Sequence, residues 1–182
     1  MYVMKQLAPG DVPALNGLLG QRMSWLAQKG LPLSGESCSL MEPARLSEPE
    51  PGMYPIGMWD GDQLVAALAV QIAVPVFGWT LEERLEQSLV LSLAHTLPER
   101  TGLLGILVAG LCDYAARLPC PLDWIRCTVR PYALADYLAR SSGWTKVREV
   151  GSPFGNSHHL FQRLAVRAEP MTLPVRTEGE LV

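Results

Sequence analysis

Nothing in this chain builds a basic stripe. Its 15 Lys and Arg residues are scattered and the formal net charge is -3, so the clustered cations that a phosphodiester backbone requires are absent and nucleic acid is excluded as a partner. No apolar run approaches the ~18 residues needed to cross a bilayer. The amino-terminal stretch MYVMKQLAPGDV has neither the basic segment nor the apolar core of a secretory signal. These absences predict a soluble, cytoplasmic protein with no membrane partner. Cysteine is sparse, and Cys38, Cys112, Cys120 and Cys127 form no CxxC pair. A chain of this size needs no disulfide staples, so the four are expected as reduced, mostly buried thiols, and no metal site is expected. No internal repeat is present.

What is present is apolar patterning. With 182 residues and 48% hydrophobic content, the chain can bury one good core and is too short for two comfortable domains. A single domain over residues 1–164 and a tail over 165–182 are therefore predicted. Tyr2 to Leu7 reads as a strand. Gly10 and Asp11 supply a turn and N-cap for a helix from Val12 to Lys29, apolar at Val12, Leu15, Leu19, Met23 and Leu26 and stopped by Gly30 and Pro32. Over residues 31–53 the periodicity gives way to Ser, Glu, Pro and Gly, which predicts a long flexible loop, either a flap that covers a substrate or plain flexible chain. Asp60-Gly61-Asp62 is a hairpin turn between strands at 54–59 and 63–74. A short acidic helix over 80–87 leads into a buried strand at 89–94. Further on, a helix is expected over 103–118, a strand over 124–129, a helix over 134–141 and a closing strand pair at 144–150 and 158–164.

The passage from strand to helix over Leu93 to Gly105 carries the chemistry. A strand feeding a helix through a glycine turn presents unpaired backbone N–H groups at a helix N-terminus, where a pyrophosphate fits. Arg100 adds a charge, and the strand edge over Leu93, Ala94 and His95 can pair with an amide-bearing arm. The plain reading of Gly102 and Gly105 is an ordinary turn and close helix packing. His95, at the end of that strand, is a candidate proton acceptor at neutral pH; Glu82, Glu83 and Glu86 are others, against the alternative of a solvated acidic face. The adjacent His158 and His159 point to opposite faces of a strand and cannot chelate one metal together. Trp59, Trp124 and Trp144 are expected in the core. Trp25 and Trp79 border loops and are candidate contacts for an apolar or aromatic substrate. The apolar segment Ala73 to Trp79 is either part of the same wall or a homodimer contact.

In order and spacing these elements resemble the GCN5-related N-acetyltransferases, a mixed α/β fold whose mostly antiparallel sheet has splayed middle strands flanked by helices. Two stretches carry the resemblance. Leu93 to Gly105 is similar to the family's central strand and its phosphate loop of pattern Gln/Arg-x-x-Gly-x-Gly/Ala, with Arg100 and Gly105 on the first and last positions. Trp124 to Val129, then Leu134 to Ala139, then Gly143-Trp144, is similar to its strand, helix and Gly-Phe/Trp corner. The resemblance implies an enzyme that transfers an acyl group, most simply acetyl, from coenzyme A to the amine of a small molecule or peptide. Leu93, Ala94 and His95 would hold the pantetheine, and Arg100, Thr101, Gly102, Leu103, Leu104 and Gly105 the pyrophosphate. The chain departs from the pattern at Leu103, where the family has a glycine, and at Ala139, where it often has a tyrosine that protonates the leaving thiolate; Tyr137 is the nearest substitute. Both departures also fit a rival of another class on the same scaffold, an enzyme that cyclises or dehydrates an apolar intermediate without an acyl donor. A third reading is a module that binds acyl-coenzyme A without turnover.

Overall fold

In the computed structural model of the chain, the structure describes residues 1–31, 41–73, 77–130, 132–141, 143–151, 157–169 and 173–182. The strands are β1 (Tyr2–Gln6), β2 (Met53–Asp60), β3 (Gln63–Gln71), β4 (Ser88–Thr96), β5 (Trp124–Val129), β6 (Thr145–Gly151), β7 (Ser157–Leu164) and β8 (Val175–Thr177). The helices are α1 (Val12–Gln28), α2 (Met41–Ser47), α3 (Leu81–Leu85), α4 (Leu103–Arg117) and α5 (Tyr132–Arg140). The eight strands form one mixed sheet in the order β6-β7-β5-β4-β3-β2-β1-β8. Pairing is antiparallel at β1/β2, β5/β7 and β6/β7, and parallel at β4/β5 and β1/β8. This is the mixed α/β sheet flanked by helices that the resemblance implies.

The chain divides into two compact units, residues 1–70, 93–111 and 168–182 in the first, and 71–92 and 112–167 in the second. In the first, α1 packs Leu15, Leu18 and Leu19 inward, each under 5% exposed, and burying a side chain of that size stabilises by ~1.5–3 kcal/mol. Gly30, at φ 62, closes α1: its N–H bonds to Ala27 and that of Leu31 to Leu26, the double bond that glycine's left-handed conformation allows. β3 is buried from Leu64 to Val70, the continuous apolar run of a strand covered on both faces. α4 approaches so closely that a Cβ on Gly110 would meet Val175 at 2.9 Å and Met4 at 3.2 Å.

Those contacts correct the expected tail. Val175–Thr177 is the edge strand β8, its Val175 paired with Tyr2; Val175 and Leu181 are 6% and 0% exposed. Three residues are too few to show a period, which hid the strand. Within the expected loop over 31–53, residues 41–47 form α2, with Leu46 buried. Residues 32–40 lie outside the described residues, as do 74–76 of the apolar segment before Trp79 and Cys38.

In the second unit, β5, β7 and β6 continue one another, and Ile125, Leu138, Leu160 and Phe161 form the core. Arg126 is buried with them at 0% exposure. Its guanidinium donates to the Glu83 carbonyl and the Glu86 carboxylate and reaches Gln162 at 3.4 Å. The Trp79 and Trp124 rings lie 4.9 and 5.8 Å away, close enough for cation–π attraction. Arg126 thereby fastens α3 to β5. Among the described residues no helix is long and apolar enough to cross a membrane.

Candidate functional site

The β4 backbone changes character at its midpoint. Its parallel ladder with β5 runs from Ser88/Trp124 to Leu91/Cys127, yet β4 continues to Thr96. Two residues past the last pair stands Leu93 with φ 54, the one non-glycine positive φ among the described residues. A left-handed leucine within a strand is strained, and strain of this kind persists where surrounding structure imposes it. The result is a break that re-aims the backbone N–H and C=O groups over Leu93 to His95. Leu93 and His95 are half-buried and Ala94 is exposed. After Thr96 the chain is held again, by the Leu97 N–H bonding to Val65 C=O at 2.9 Å.

The turn into α4 follows. Gly102 takes φ 80, and the first intrahelical bond from beyond it is Ile106 N–H to Gly102 C=O at 3.1 Å. The amides of Leu103, Leu104 and Gly105 therefore open the helix ahead of the i→i−4 ladder, where helix geometry leaves donors without an intrahelical partner. A Cβ on Gly102 or Gly105 would meet nothing within 4 Å, so open space adjoins these amides. Leu103 is 1% exposed: its side chain lies in the core and leaves the turn uncrowded. The plain reading of Gly105, close helix packing, does not hold.

Arg100 lies on the surface beside this turn. Its guanidinium bonds Asp60 at 2.6 Å and Gln63 at 3.2 Å, and the Asp60 hydrogen bond raises its pKa above the ordinary value. Between the β4-to-α4 connection and α1 runs a groove of about 640 Å³, lined by Asn16, Gln21, Ser24 and Gln28 on the helix side and by Gln63 and Arg100 opposite. Trp25 also lines it, with Arg22 against its ring at 5.0 Å.

His95 has a buried Nε2 with no hydrogen-bond partner. Burial, reinforced by the positive charge of Arg22, pushes its pKa down to about 4, so the imidazole is neutral at physiological pH. Glu83 is committed elsewhere. It closes the α3 capping box, accepting from Thr80 N–H at 2.8 Å while Thr80 Oγ1 accepts from the Glu83 N–H, and it takes two bonds from Arg148. Burial opposes its ionisation, but the Arg148 and Thr80 hydrogen bonds prevail and the pKa falls. A carboxylate so engaged and so acidic is a poor base. Tyr137 is on α5 and 48% exposed, and Ser141 Oγ caps its carbonyl at 2.7 Å. Trp79 is 5% exposed beneath Arg126, which takes it away from any open substrate wall. His158 and His159 do face opposite ways, His158 against Phe77 at 4.9 Å and His159 against Glu149 at 3.3 Å and the Tyr132 ring.

Sequence reasoning missed Asp60 and Gln63 as partners of Arg100, and the knot around Arg126. The one signal for the second was an arginine at the centre of an otherwise apolar strand.

Comparison with solved structures shows the fold: it is that of the GCN5-related N-acetyltransferases. An acetyltransferase from Thermus thermophilus is 18% identical with a TM-score of 0.57, covering 90% of this chain and 97% of its own. The ribosomal-protein-S18-alanine N-acetyltransferase from Escherichia coli is 14% identical with a TM-score of 0.58, covering 94% and 98%. The spermidine N-acetyltransferase from Vibrio cholerae, in complex with CoA and spermine, is 14% identical with a TM-score of 0.56, covering 90% and 95%. No family model matches the chain, and no curated protein matches it.

Proposed function

We propose that the protein transfers an acyl group, acetyl in the simplest case, from a coenzyme A thioester to an amine. One observation carries the reading: the turn from β4 into α4 offers the amides of Leu103, Leu104 and Gly105 to open space, with Gly102 and Gly105 clear and Leu103 turned into the core. Such a turn suits a diphosphate, because helix-terminal N–H groups and the helix dipole both favour negative charge. The strand leading to it suits the rest of the donor: re-aimed backbone groups over Leu93, Ala94 and His95 can pair with the two amides of a pantetheine arm and donate to a thioester carbonyl. The fold relatives include an acetyltransferase solved with CoA, which agrees with this assignment. The buried Leu103 weighs against the alternative in which its side chain fills the phosphate position.

In this reading the amine nitrogen attacks the thioester carbon, the carbon–sulfur bond breaks, and the proton lost by nitrogen ends on sulfur. Within the unit that holds the donor turn, His95, whose buried Nε2 has no hydrogen-bond partner, is the side chain proposed to take up the proton, as a weak base because burial holds its pKa at about 4. Thr101 belongs to the phosphate turn.

Calorimetric titration with acetyl-coenzyme A tests the reading, beside a Gly105→Val variant and an Arg100→Ala, Gly105→Val double variant. Micromolar binding that weakens at least tenfold with Gly105→Val is the expected result, since the added side chain occupies the space beside the open amides. Absence of binding by folded wild-type protein overturns the proposal.

A further inference from the structure

Across the 17 residues of α1 one side chain, Arg22, is charged, and it stands on the face of the helix where charge costs most. Leu15, Leu18 and Leu19 turn into the core. Arg22 follows them at seven, four and three residues, the spacings that keep side chains on one helical stripe. That stripe calls for an apolar residue. The groove lies on another face of α1: Gln21, Trp25 and Gln28 line it and Arg22 does not. Arg22 is instead directed to β4, near enough to His95 for its charge to act on the imidazole. Arg22, Trp25, Leu93 and His95 all belong to the first compact unit.

A guanidinium that has lost part of its water needs a countercharge. Arg22 is half-buried, and burial lowers its pKa, whereas the hydrogen bond to Asp60 raises that of Arg100. Among the described residues no carboxylate forms an ion pair with Arg22. His95 supplies no countercharge, being neutral, and its own buried Nε2 has no hydrogen-bond partner. Arg22 does meet the Trp25 ring, 5.0 Å from its guanidinium carbon. A cation–π contact uses no N–H donor, so the planar fork that matches a carboxylate stays open. Position identifies the source of that carboxylate. The backbone over Leu93 to His95 is the stretch assigned to the pantetheine arm and the thioester, and two residues of strand span about 6.6 Å. An acyl chain of three or four carbon–carbon bonds, each about 1.5 Å, covers most of that span and brings its far end to His95 and Arg22. Acetyl is too short to do so.

We infer that Arg22 is a specificity-determining residue that selects a donor whose acyl group ends in a carboxylate, the coenzyme A monothioester of a short dicarboxylic acid; this rests on the acyl-transfer reading. The amine nitrogen bonds to the thioester carbon, the carbon–sulfur bond breaks, and the proton lost by nitrogen ends on sulfur. The tail carboxylate stays ionised and unreacted beside Arg22, and the product is an amide with a free acid at its far end.

Calorimetry on the full chain with succinyl-coenzyme A against butyryl-coenzyme A isolates the carboxylate, because the two acyl chains have the same number of carbons. Wild-type protein should bind the succinyl thioester at least about tenfold more tightly, the effect of one charge-assisted pair held partly out of water. In Arg22→Gln, which removes the charge and keeps a polar side chain, the two Kd values should come within about twofold of each other. Arg22→Lys keeps the charge without the fork, and its ratio should lie between the two. Circular dichroism checks that each variant is folded, and the wild-type comparison stands whether or not they are. Equal Kd values in wild-type protein, or a succinyl preference that survives Arg22→Gln, overturn the inference and leave the acyl-transfer reading intact. An Arg22-dependent preference for glycine over glycinamide in the coenzyme A complex, with the two thioesters bound alike, puts the carboxylate on the acceptor and also overturns it. Folded wild-type protein that binds none of the acetyl, butyryl and succinyl thioesters overturns the acyl-transfer reading itself, and the inference with it.

Discussion

Arg100 is shared between two demands. Its ion pair with Asp60 at 2.6 Å is half-exposed on both sides, and solvent screening leaves pairs of that kind little net effect on stability. When a diphosphate occupies the neighbouring turn, the Asp60 carboxylate offsets much of the charge that Arg100 brings to it. Replacing Asp60 with Asn removes that competing charge and keeps a hydrogen-bonding partner. The expected outcome is roughly fivefold tighter binding of coenzyme A, the effect of one screened unit charge at close range, read by calorimetry at low salt. In an Arg100→Ala background the same change should have little effect. That partnership could not be read from the sequence, because Asp60 is 40 residues from Arg100 and meets it only once the hairpin and the β4 strand are side by side. The glycine turn itself was legible, since Gly102 and Gly105 are local signals with a local meaning. Whether Leu103 crowded that turn depended on the rotation of α4 about its axis, which the structure supplies.

His95 carries a second residue-scale consequence. Its folded pKa of about 4 lies below the ordinary 6.5, so between those values the unfolded chain takes up a proton that the folded chain refuses. The stability from this difference is fully present above pH 6.5 and is lost as pH falls toward 4, up to about 3 kcal/mol in all. Burial lowers His158 as well, adding in the same direction, so the comparison must be with a His95→Gln variant. Urea unfolding at pH 7.5 and pH 4.5 should show a smaller loss in the variant than in wild type by about 2 kcal/mol.

At the scale of the element, α3 illustrates how a short helix of five residues is made stable. Its capping box joins Thr80 and Glu83, and from the sequence its acids are either candidate bases or a solvated face. Two of the three are instead drawn inward, Glu83 to Arg148 and Glu86 to Arg126. Leu81 and Leu85 are left 65% and 77% exposed, so the polar contacts rather than apolar burial hold the helix down. Arg126→Ala would leave the Glu83 carbonyl and Gln162 without their donor and open a void beneath Trp79. A loss of roughly 3 kcal/mol is expected, the lower end for breaking a buried pair because Glu86 retains contact with water. Arg126→Met fills the space without a charge and should lose less. Chemical denaturation of the two variants decides the order, and equal losses would mean that filling the volume contributes nothing beyond the guanidinium bonds.

At the scale of the molecule, the residues assigned to the donor all fall in one compact unit. Leu93 to His95 and Arg100 to Gly105 lie within residues 93–111, together with α1 and the hairpin that holds Arg100, while Arg126, Glu83 and Trp79 belong to the other unit. A ligand bound to the first set stabilises whatever must be folded to present it. At a hundredfold excess over Kd, acetyl-coenzyme A should stabilise by ~2.7 kcal/mol, a rise in Tm of roughly 5–10 °C for a chain of this length. Hydrogen exchange then distinguishes local from global protection. Slowing confined to 93–111 and its partners in β3 and α1 would place the binding energy within the first unit, with the second opening independently. Equal slowing over β5 and β7 would mean that the two units unfold as one cooperative body.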